Sequence, residues 1–532
     1  MTVDVASGPL TVLVSTRAVL TLPDDSLILT PATISISAES GKIVAIEPAV
    51  VPRSSFPSSV AYVDHGSKLL MPGLVDAHVH LNEPGRTEWE GFSTGTRAAA
   101  SGGVTTVIDM PLNAIPPTTT VAGFKEKLAA SQGQCWVDVG FYGGVIPGNA
   151  DELLPLVEAG VRGFKGFLIE SGVDEFPAIS SVDIELAMKT LNGTPTTLMF
   201  HAEMIPPISD SVGDKVQASE PPLAPHGDLK AYQTFLESRP PVFETCAIDE
   251  IISLSHLATN LHLHIVHLSA IQAIPILKNA RKNGVNITAE TCFHYLGLAA
   301  EAVEDGDCRY KCCPPIREQS NQDGLWEELV AEDSCIKTIV SDHSPCTPEL
   351  KLLPPHLQST EVAHMRHSDS GVDVTADLQL PDLGRKATEA SAQGDFFAAW
   401  GGISSVGLGL PILHTASALR AKKHNKTPSV VDVVRMCCQA TARQVGLHHR
   451  KGALRVGMDA DVCVFDDAEE WVLQSHGMHW KNRCSPWEGH RFQGRVKETW
   501  LRGTKVYKHG AANNGFVTGS PVGEAIVEKR TE

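Results

Sequence analysis

The chain has 532 residues, which is long for one ordinary domain but suits a barrel with a companion domain. Hydrophobic residues make up 42% and aromatic residues 6%, so the chain can bury a large core, as soluble globular enzymes do. The formal net charge of −18 argues against binding nucleic acid or an anionic membrane through a broad basic surface. We therefore expect no nucleic-acid partner and no membrane partner.

Neither the cysteines nor the first residues of the chain indicate export. None of the 12 cysteines stands in a CxxC pair, and neighbours such as Cys312 and Cys313 suit neither a zinc knuckle nor an ordinary disulfide. Scattered thiols in a chain of this size are typical of a reducing compartment. Asp4 stands where a signal peptide would be basic, and Arg17 interrupts the first apolar run. These features predict a cytoplasmic protein.

Both ends of the chain read as short strands separated by turns. Residues 1–68 contain LTVLVS, ATISIS and KIVAIEP, and residues 452–511 contain ADVCVFD, WVLQ and VKETWLRGTKVYKHG. This pattern predicts a small β-sandwich built from both termini, and two unrelated appendages are the alternative. The small, polar residues 512–532 are expected to form a flexible tail.

The middle of the chain, residues 69–451, alternates apolar strand candidates with amphipathic helices. Eight β-then-α units, from LLMPGLVDAHVHL to IKTIVSDHSP, predict an α/β fold with a (β/α)8 TIM-like barrel. A doubly wound open sheet is the alternative, and the lack of a GxGxxG turn weakens it. Residues 352–393 lack periodicity and are rich in Ser, Asp and Pro, which predicts an inserted loop. A lid, an oligomer contact and a tolerated surface loop are the three roles considered for it, and the last is favoured.

The most informative motif is the run from Asp76 to His80 at the end of an apolar strand. Side chains two apart on a strand share a face, so His78 and His80 can converge on one ion. Imidazole suits zinc and related divalent ions. Taken alone, the pair can equally be two histidines of a half-buried strand that bind nothing.

Four further strand candidates end in a polar side chain of similar character. Because active sites of such barrels lie at the carboxyl ends of the strands, these groups can all face one pocket. Each has a plain structural alternative, such as a satisfied polar residue or a turn former. Their recurrence on successive strands favours a shared site. The four residues are Lys165, His201, His267 and Asp342.

Two of these residues require a choice between alternatives. In the strand Leu261–His267, alternation places His267 on a face with Leu263 and Ile265, and predicts that His262 and His264 face outward. A buried Lys165 needs either an ion pair with a carboxylate or conversion to an anionic carbamate. The residues alone favour the ion pair.

Taken together, GLVDAHVHL, GFKGFL, His201, HLSA and SDHSP resemble the metal signature of the cyclic amidohydrolases, over nearly the whole chain. That family includes dihydroorotases, dihydropyrimidinases and allantoinases. The resemblance implies two divalent metal ions, with zinc as the first choice, bridged by a carbamylated Lys165, and a homotetramer. It implies that one metal is held by His78, His80 and Asp342, and the other by His201 and His267.

The same resemblance implies a mechanism. A hydroxide shared by the two metal ions would attack the carbonyl of a cyclic amide. Asp342 would act as general base, accepting the proton and returning it to the leaving nitrogen. Asp76 either points the same way or orients the histidines, and is not taken as catalytic.

The loops near the metal signature indicate which ring is opened. Asn82 stands where dihydroorotases carry an arginine that grips the substrate carboxylate, so a neutral, amide-rich ring fits better. Arg86 is either a compensating cation or a salt-bridged loop residue, and Cys313 stands where dihydroorotases tend to carry Asn. Asn82, Arg86 and Cys313 are the candidate substrate-binding residues.

Four stretches, HLNEPGRTEWEGF, TETCFHYL, KCCPPIR and AWGGISS, resemble allantoinases. The implied reaction is hydrolysis of the hydantoin ring of allantoin to allantoate. Another cyclic amidohydrolase is the first alternative. A non-catalytic structural relative is the second, and the presence of all six candidate ligands weighs against it.

Overall fold

The computed structural model describes residues 9–206, 225–358, 392–423 and 426–531. Its first part is a set of strands whose alternating apolar residues fill two separate cores, because Leu13 packs into one and Val12 into the other. These strands are β1 (Leu10–Thr21), β2 (Leu27–Ser37), β3 (Ile43–Glu47), β4 (Ala61–Asp64) and β5 (Leu69–Pro72).

The middle of the chain forms a ring of parallel strands, as the sequence predicts. β6 to β8 form one sheet and β9 to β14 form another. Because β8 and β9 follow one another along the chain and occupy a single position in the ring, the nine strands fill eight positions. A parallel bridge between Val79 and His343 joins the last strand position to the first and closes the (β/α)8 barrel. The strands are β6 (Leu74–Val79), β7 (Val104–Asp109), β8 (Asp138–Phe141), β9 (Gly143–Gly144), β10 (Phe164–Phe167), β11 (Thr197–His201), β12 (His262–Ile265), β13 (Ile287–Cys292) and β14 (Ile336–Val340).

Helices follow the barrel strands and cover the ring. In the described ranges, none of them combines the length and the apolar character that a membrane crossing requires. They are α1 (Phe92–Ser101), α2 (Val121–Ser131), α3 (Ala150–Ala159), α4 (Ser181–Leu191), α5 (Tyr232–Glu237), α6 (Val242–Leu254), α7 (Ile274–Lys282), α8 (Phe293–Gly297), α9 (Gln319–Leu329), α10 (Gly409–Arg420), α11 (Val430–Val434) and α12 (Ala440–Gln444), the last two joined by a π-helical turn, Arg435–Gln439.

The two ends of the chain meet in one sheet. β15 (Val462–Val472), β16 (Arg491–Leu501) and β17 (Thr504–Lys508) extend the amino-terminal strands in the order β17-β16-β15-β5-β1-β2-β3, with β4 paired to β1. The seam is the antiparallel pair of β15 with β5. The terminal strands therefore do combine, in a single connected sheet; their arrangement as a sandwich stays a prediction.

Two expected boundaries differ from the structure. LLMPGLVDAHVHL is two strands, because β5 belongs to the terminal sheet and the barrel begins at Leu74, after Gly73. A side chain at Gly73 would lie 2.2 Å from the Thr105 hydroxyl, so only glycine lets the chain pass this close to β7. Of the predicted insert 352–393, residues 359–391 lie outside the described residues.

The described residues 512–531, which the sequence predicts to be a flexible tail, make contacts with the barrel. The Ile526 amide donates to Val139 O at 2.7 Å, and the Val139 amide donates to Glu524 O at 2.8 Å. Ile526 is 4% exposed and Arg530 6% exposed. Part of the segment packs against the barrel, because its backbone pairs with β8 and Phe516 and Ile526 are buried, while Val517 and Val527 are exposed.

Candidate metal centre

Three of the predicted ligands meet where β6 and β14 end. His78 lies in β6, His80 directly follows it, and Asp342 follows β14. Asp342 Oδ1 lies 3.1 Å from His78 Nε2 and 3.6 Å from His80 Nε2. One nitrogen or oxygen atom from each of the three buried residues lies within 4.8 Å of the other two. Two imidazoles and a carboxylate at this spacing match the donor set that divalent zinc prefers.

Lys165 enters the same cluster from β10. Its Nζ lies 3.2 Å from His78 Nε2, and the residue is 1% exposed. Burial lowers the pKa of Lys165 to about 8. Among the described residues no carboxylate forms an ion pair with Lys165, so the ion pair favoured by the residues alone is not formed within that part of the chain.

His201 and His267 complete the cluster on its other side. Their ring centroids are 4.6 Å apart, and the His267 ring is 5.4 Å from that of His78. His201 Nε2 lies 2.7 Å from Glu203 Oε2, which leaves Nδ1 available for an ion. His267 Nδ1 is buried and has no hydrogen-bond partner in the described part of the chain, and burial holds the pKa of His267 well below its usual range. An unpartnered buried imidazole beside two others fits a metal ligand.

The expectation that His262 and His264 face outward is wrong. The strand register pairs Lys165 with Met199 and Met199 with His264, so His264 points to the same side as Lys165, into the barrel. His267 reaches the site for a different reason. β12 ends at Ile265, and His267 adopts a left-handed backbone with φ of 39°. Strand alternation therefore stops before His267 and does not determine where it points.

Glu290 is a functional residue that the sequence reasoning missed. Its Oε1 lies 2.5 Å from His78 Nδ1 and its Oε2 lies 3.1 Å from His264 Nε2. Burial alone would raise the pKa of Glu290, but contact with His78 and His264 holds it at about 2. The ionised carboxylate directs the His78 proton onto Nδ1 and leaves Nε2 facing Asp342. The one available signal was an acidic residue inside the apolar strand ITAETC.

Asn113 and Asp76 play comparable parts beside the two histidines of β6. Asn113 Nδ2 lies 3.4 Å from His80 Nδ1. The Asp76 carboxylate accepts hydrogen bonds from the Ser341 amide at 3.1 Å and the His78 amide at 3.4 Å, so it ties β6 to the end of β14. Burial raises the pKa of Asp76 to about 6. Asp76 thus fixes the backbone around the site.

The three candidate substrate residues lie on loops at this end of the barrel. Asn82 is buried with φ of 62° and donates to Pro345 O at 3.3 Å, and no described residue is a hydrogen-bond partner of its Oδ1. Arg86 forms an ion pair with Glu175, which is the second of the two roles considered for it. Cys313 is partly buried. Its KCCPPIR loop meets the AWGGISS loop, because the Gly402 amide donates to Lys311 O at 2.8 Å.

Comparison with known proteins places the chain among metal-dependent hydrolases. The profile of the amidohydrolase family matches residues 69–202 and 266–506. The allantoinase of Saccharomyces cerevisiae is 44% identical over 508 residues, which cover 94% of this chain and 96% of that protein. The allantoinase of Streptomyces avermitilis is 39% identical, covering 90% of this chain and 92% of that protein.

Solved structures agree on the fold. The L-hydantoinase (dihydropyrimidinase) of Arthrobacter aurescens superposes with a TM-score of 0.77 at 24% sequence identity, covering 97% of this chain and 99% of that one. At this identity the likeness concerns the fold alone. The family match spans well over half of the chain, and the allantoinase relatives extend along nearly all of it. The chain therefore belongs to the amidohydrolase family, in which it groups with the allantoinases.

Proposed function

We propose that this hydrolase opens the hydantoin ring of allantoin to give allantoate, using two divalent metal ions held at the carboxyl ends of the barrel strands. The observation that carries the proposal is the convergence of His78, His80 and Asp342 within 4.8 Å, beside the buried Lys165. It occurs in a chain that is 44% identical to an allantoinase over nearly its whole length.

The donor groups divide into two sets around Lys165. His78, His80 and Asp342 would hold one ion, and His201 and His267 the other, with zinc as the metal that best suits these donors. When bound, such a pair of ions supplies an activated water at neutral pH and polarises the substrate carbonyl. Lys165, as a carbamate, would be a ligand of both ions. Support for it is the burial of this lysine among histidines with no ion pair to a described carboxylate.

Asp342 is the residue proposed to move the proton. Burial would raise the pKa of Asp342, but contact with His78 and His80 holds it well below its usual range, so the carboxylate is ionised at neutral pH. It can accept the proton of the attacking water and return it to the ring nitrogen that leaves. Asp342 has a left-handed backbone with φ of 44°, which turns its side chain toward the histidines as β14 ends.

The loops beside this site favour a neutral ring. Asn82 offers an amide in place of a cation, and its buried Oδ1 can accept a hydrogen bond from a ring N–H. The Arg86 charge is already neutralised by Glu175. Arg239 is likewise paired, with Glu203 at 2.7 Å. A substrate carboxylate such as that of dihydroorotate would therefore lack a free partner among these residues.

The test is a comparison of ring opening with allantoin, dihydroorotate and dihydrouracil, combined with metal analysis of the purified protein. We expect allantoin to be preferred and zinc to be present. Asp342→Asn should fold but lose turnover, because an amide neither accepts the proton nor matches a carboxylate ligand. A preference for dihydroorotate or dihydrouracil would overturn the substrate assignment. The proposed homotetramer is tested by light scattering on the same sample.

A further inference from the structure

A line of buried and half-buried polar side chains runs down the inside of the barrel from the candidate metal centre. Below His78 and Glu290, His264 donates from Nε2 to the Glu290 carboxylate at 3.1 Å. The Thr288 hydroxyl lies 2.7 Å from His264 Nδ1 and 2.7 Å from His262 Nε2. The line thus passes from one histidine to the next through a shared hydroxyl group.

The lower end of the line is held by the carboxyl-terminal segment. His262 Nδ1 lies 3.3 Å from the hydroxyl of Thr197, the first residue of β11. Arg530 Nη1 donates to the same hydroxyl at 3.1 Å and to Arg162 O at 2.7 Å. β11 runs from Thr197, at the lower end of the line, to His201 at the metal centre. These residues are four positions apart, and at about 3.3 Å per residue the two ends of the line are about 13 Å apart.

One arrangement of protons satisfies the line when the Thr197 hydroxyl, which lies 3.1 Å from Gln444 O and 3.3 Å from His262 Nδ1, donates to His262. A neutral imidazole has one donor and one acceptor nitrogen. Because His264 donates through Nε2, its Nδ1 accepts from the Thr288 hydroxyl, whose oxygen in turn accepts from His262 Nε2. Every donor then points toward Glu290, which can only accept. His78 must therefore keep its proton on Nδ1 and present the bare Nε2 to Asp342 and Lys165.

We propose that this line of hydrogen bonds, anchored by Arg530, holds His78 in the tautomer and orientation that a metal ligand needs. His264, Glu290 and Arg530 are thus positioning residues, and the carboxyl-terminal segment supports the metal centre from the opposite end of the barrel. This inference rests on the proposed function, because it requires that the site binds metal. Partners of this kind typically change metal affinity about 10- to 100-fold when they are lost.

Zinc affinity, measured by competition with a chromophoric chelator, tests the upper half of the line. His264→Leu should raise the dissociation constant about 10- to 100-fold. His264→Gln should recover most of the loss, since its side-chain amide can still donate to Glu290. His65→Leu is the matched control, because His65 is a buried histidine, 7% exposed, that directly follows β4 of the terminal sheet, and its loss should leave zinc affinity unchanged.

Arg530→Met tests the lower half. It should weaken zinc binding in the same direction by about 3-fold, a smaller effect because the break lies farther from the ligand. The double variant with His264→Leu should bind zinc no more weakly than His264→Leu alone. The reason is that Arg530 acts through the same hydrogen bonds, which His264→Leu has already broken.

Three results would overturn the inference. They are unchanged zinc affinity in folded His264→Leu, additive losses in the double variant, or a lower melting temperature of Arg530→Met with unchanged zinc affinity. If His264→Leu does not fold, Thr288→Val breaks the same line with little change in volume and carries the same expectation. A parent protein that binds no zinc and leaves allantoin intact would instead show that the proposed function fails.

Discussion

Replacing Lys165 with alanine tests whether this side chain bridges the metal ions of the candidate centre. The variant removes an amine 3.2 Å from His78 Nε2 and leaves the other proposed ligands in place. Three buried methylene groups are lost at about 0.8 kcal/mol each, so the free energy of unfolding should fall by at most about 2.5 kcal/mol. Relief from burying an amine offsets part of this loss, and the barrel should fold.

Metal content and turnover should both collapse in this variant. Without a shared ligand the two ions are not held at the distance at which both act on one water. Loss of about 4 kcal/mol of transition-state stabilisation corresponds to a fall in turnover of about 10³-fold. Metal analysis and an allantoin assay on the same sample measure both quantities, and circular dichroism checks that the protein is folded.

A small carboxylic acid distinguishes a bridge from an ion pair. Acetate should enter the space left in Lys165→Ala and restore part of the metal content and turnover. Lys165→Met is the matched control, because its longer side chain fills that space and acetate should not help. Full metal occupancy and normal turnover in Lys165→Ala would refute the bridging role, and an ion-pair role predicts occupied metals with no benefit from acetate.

Three further predictions follow from particular residues. Asn82→Arg should lower kcat/KM on allantoin at least about 10-fold without creating activity on dihydroorotate. The reason is that the variant buries an unpaired charge at a position with a left-handed backbone. An unchanged kcat/KM on allantoin would contradict this prediction. Burial lowers the pKa of Lys311 from 10.5 to about 8, so the unfolded chain binds more protons between these values. Burying the protonated Lys311 amine lowers the free energy of unfolding by up to about 3 kcal/mol. This cost is present in full below about pH 8 and vanishes above about pH 10.5. Urea unfolding should therefore show the parent gaining stability relative to Lys311→Met as pH rises through this window; parallel pH profiles would argue against it. Ile526→Ala should cost about 2–4 kcal/mol in urea unfolding and Val527→Ala, at an exposed site, almost nothing; equal costs would mean that the carboxyl-terminal segment does not pack as described.

The sequence alone was enough to predict the barrel and most of the candidate site. Eight apolar strands with polar residues at their ends are local patterns, and a parallel barrel gathers the carboxyl ends of its strands on one side. His78, His80, Lys165 and Asp342 could therefore be grouped without knowing any distance. The similar spacing of strands and turns also predicted a small β-sandwich built from both chain ends; the two ends share one sheet, and the sandwich stays a prediction.

Only the tertiary structure decided which face of a strand is inside. In a closed barrel both faces of each strand are buried, one by side chains of the interior and the other by helices, so alternation cannot tell them apart. His264 was therefore assigned to the wrong face. Glu290 and Arg530 were missed for a related reason, because their contacts with His78 and Thr197 join residues 212 and 333 positions apart. Local periodicity carries no information at such separations, and the packing of the closed barrel supplies it.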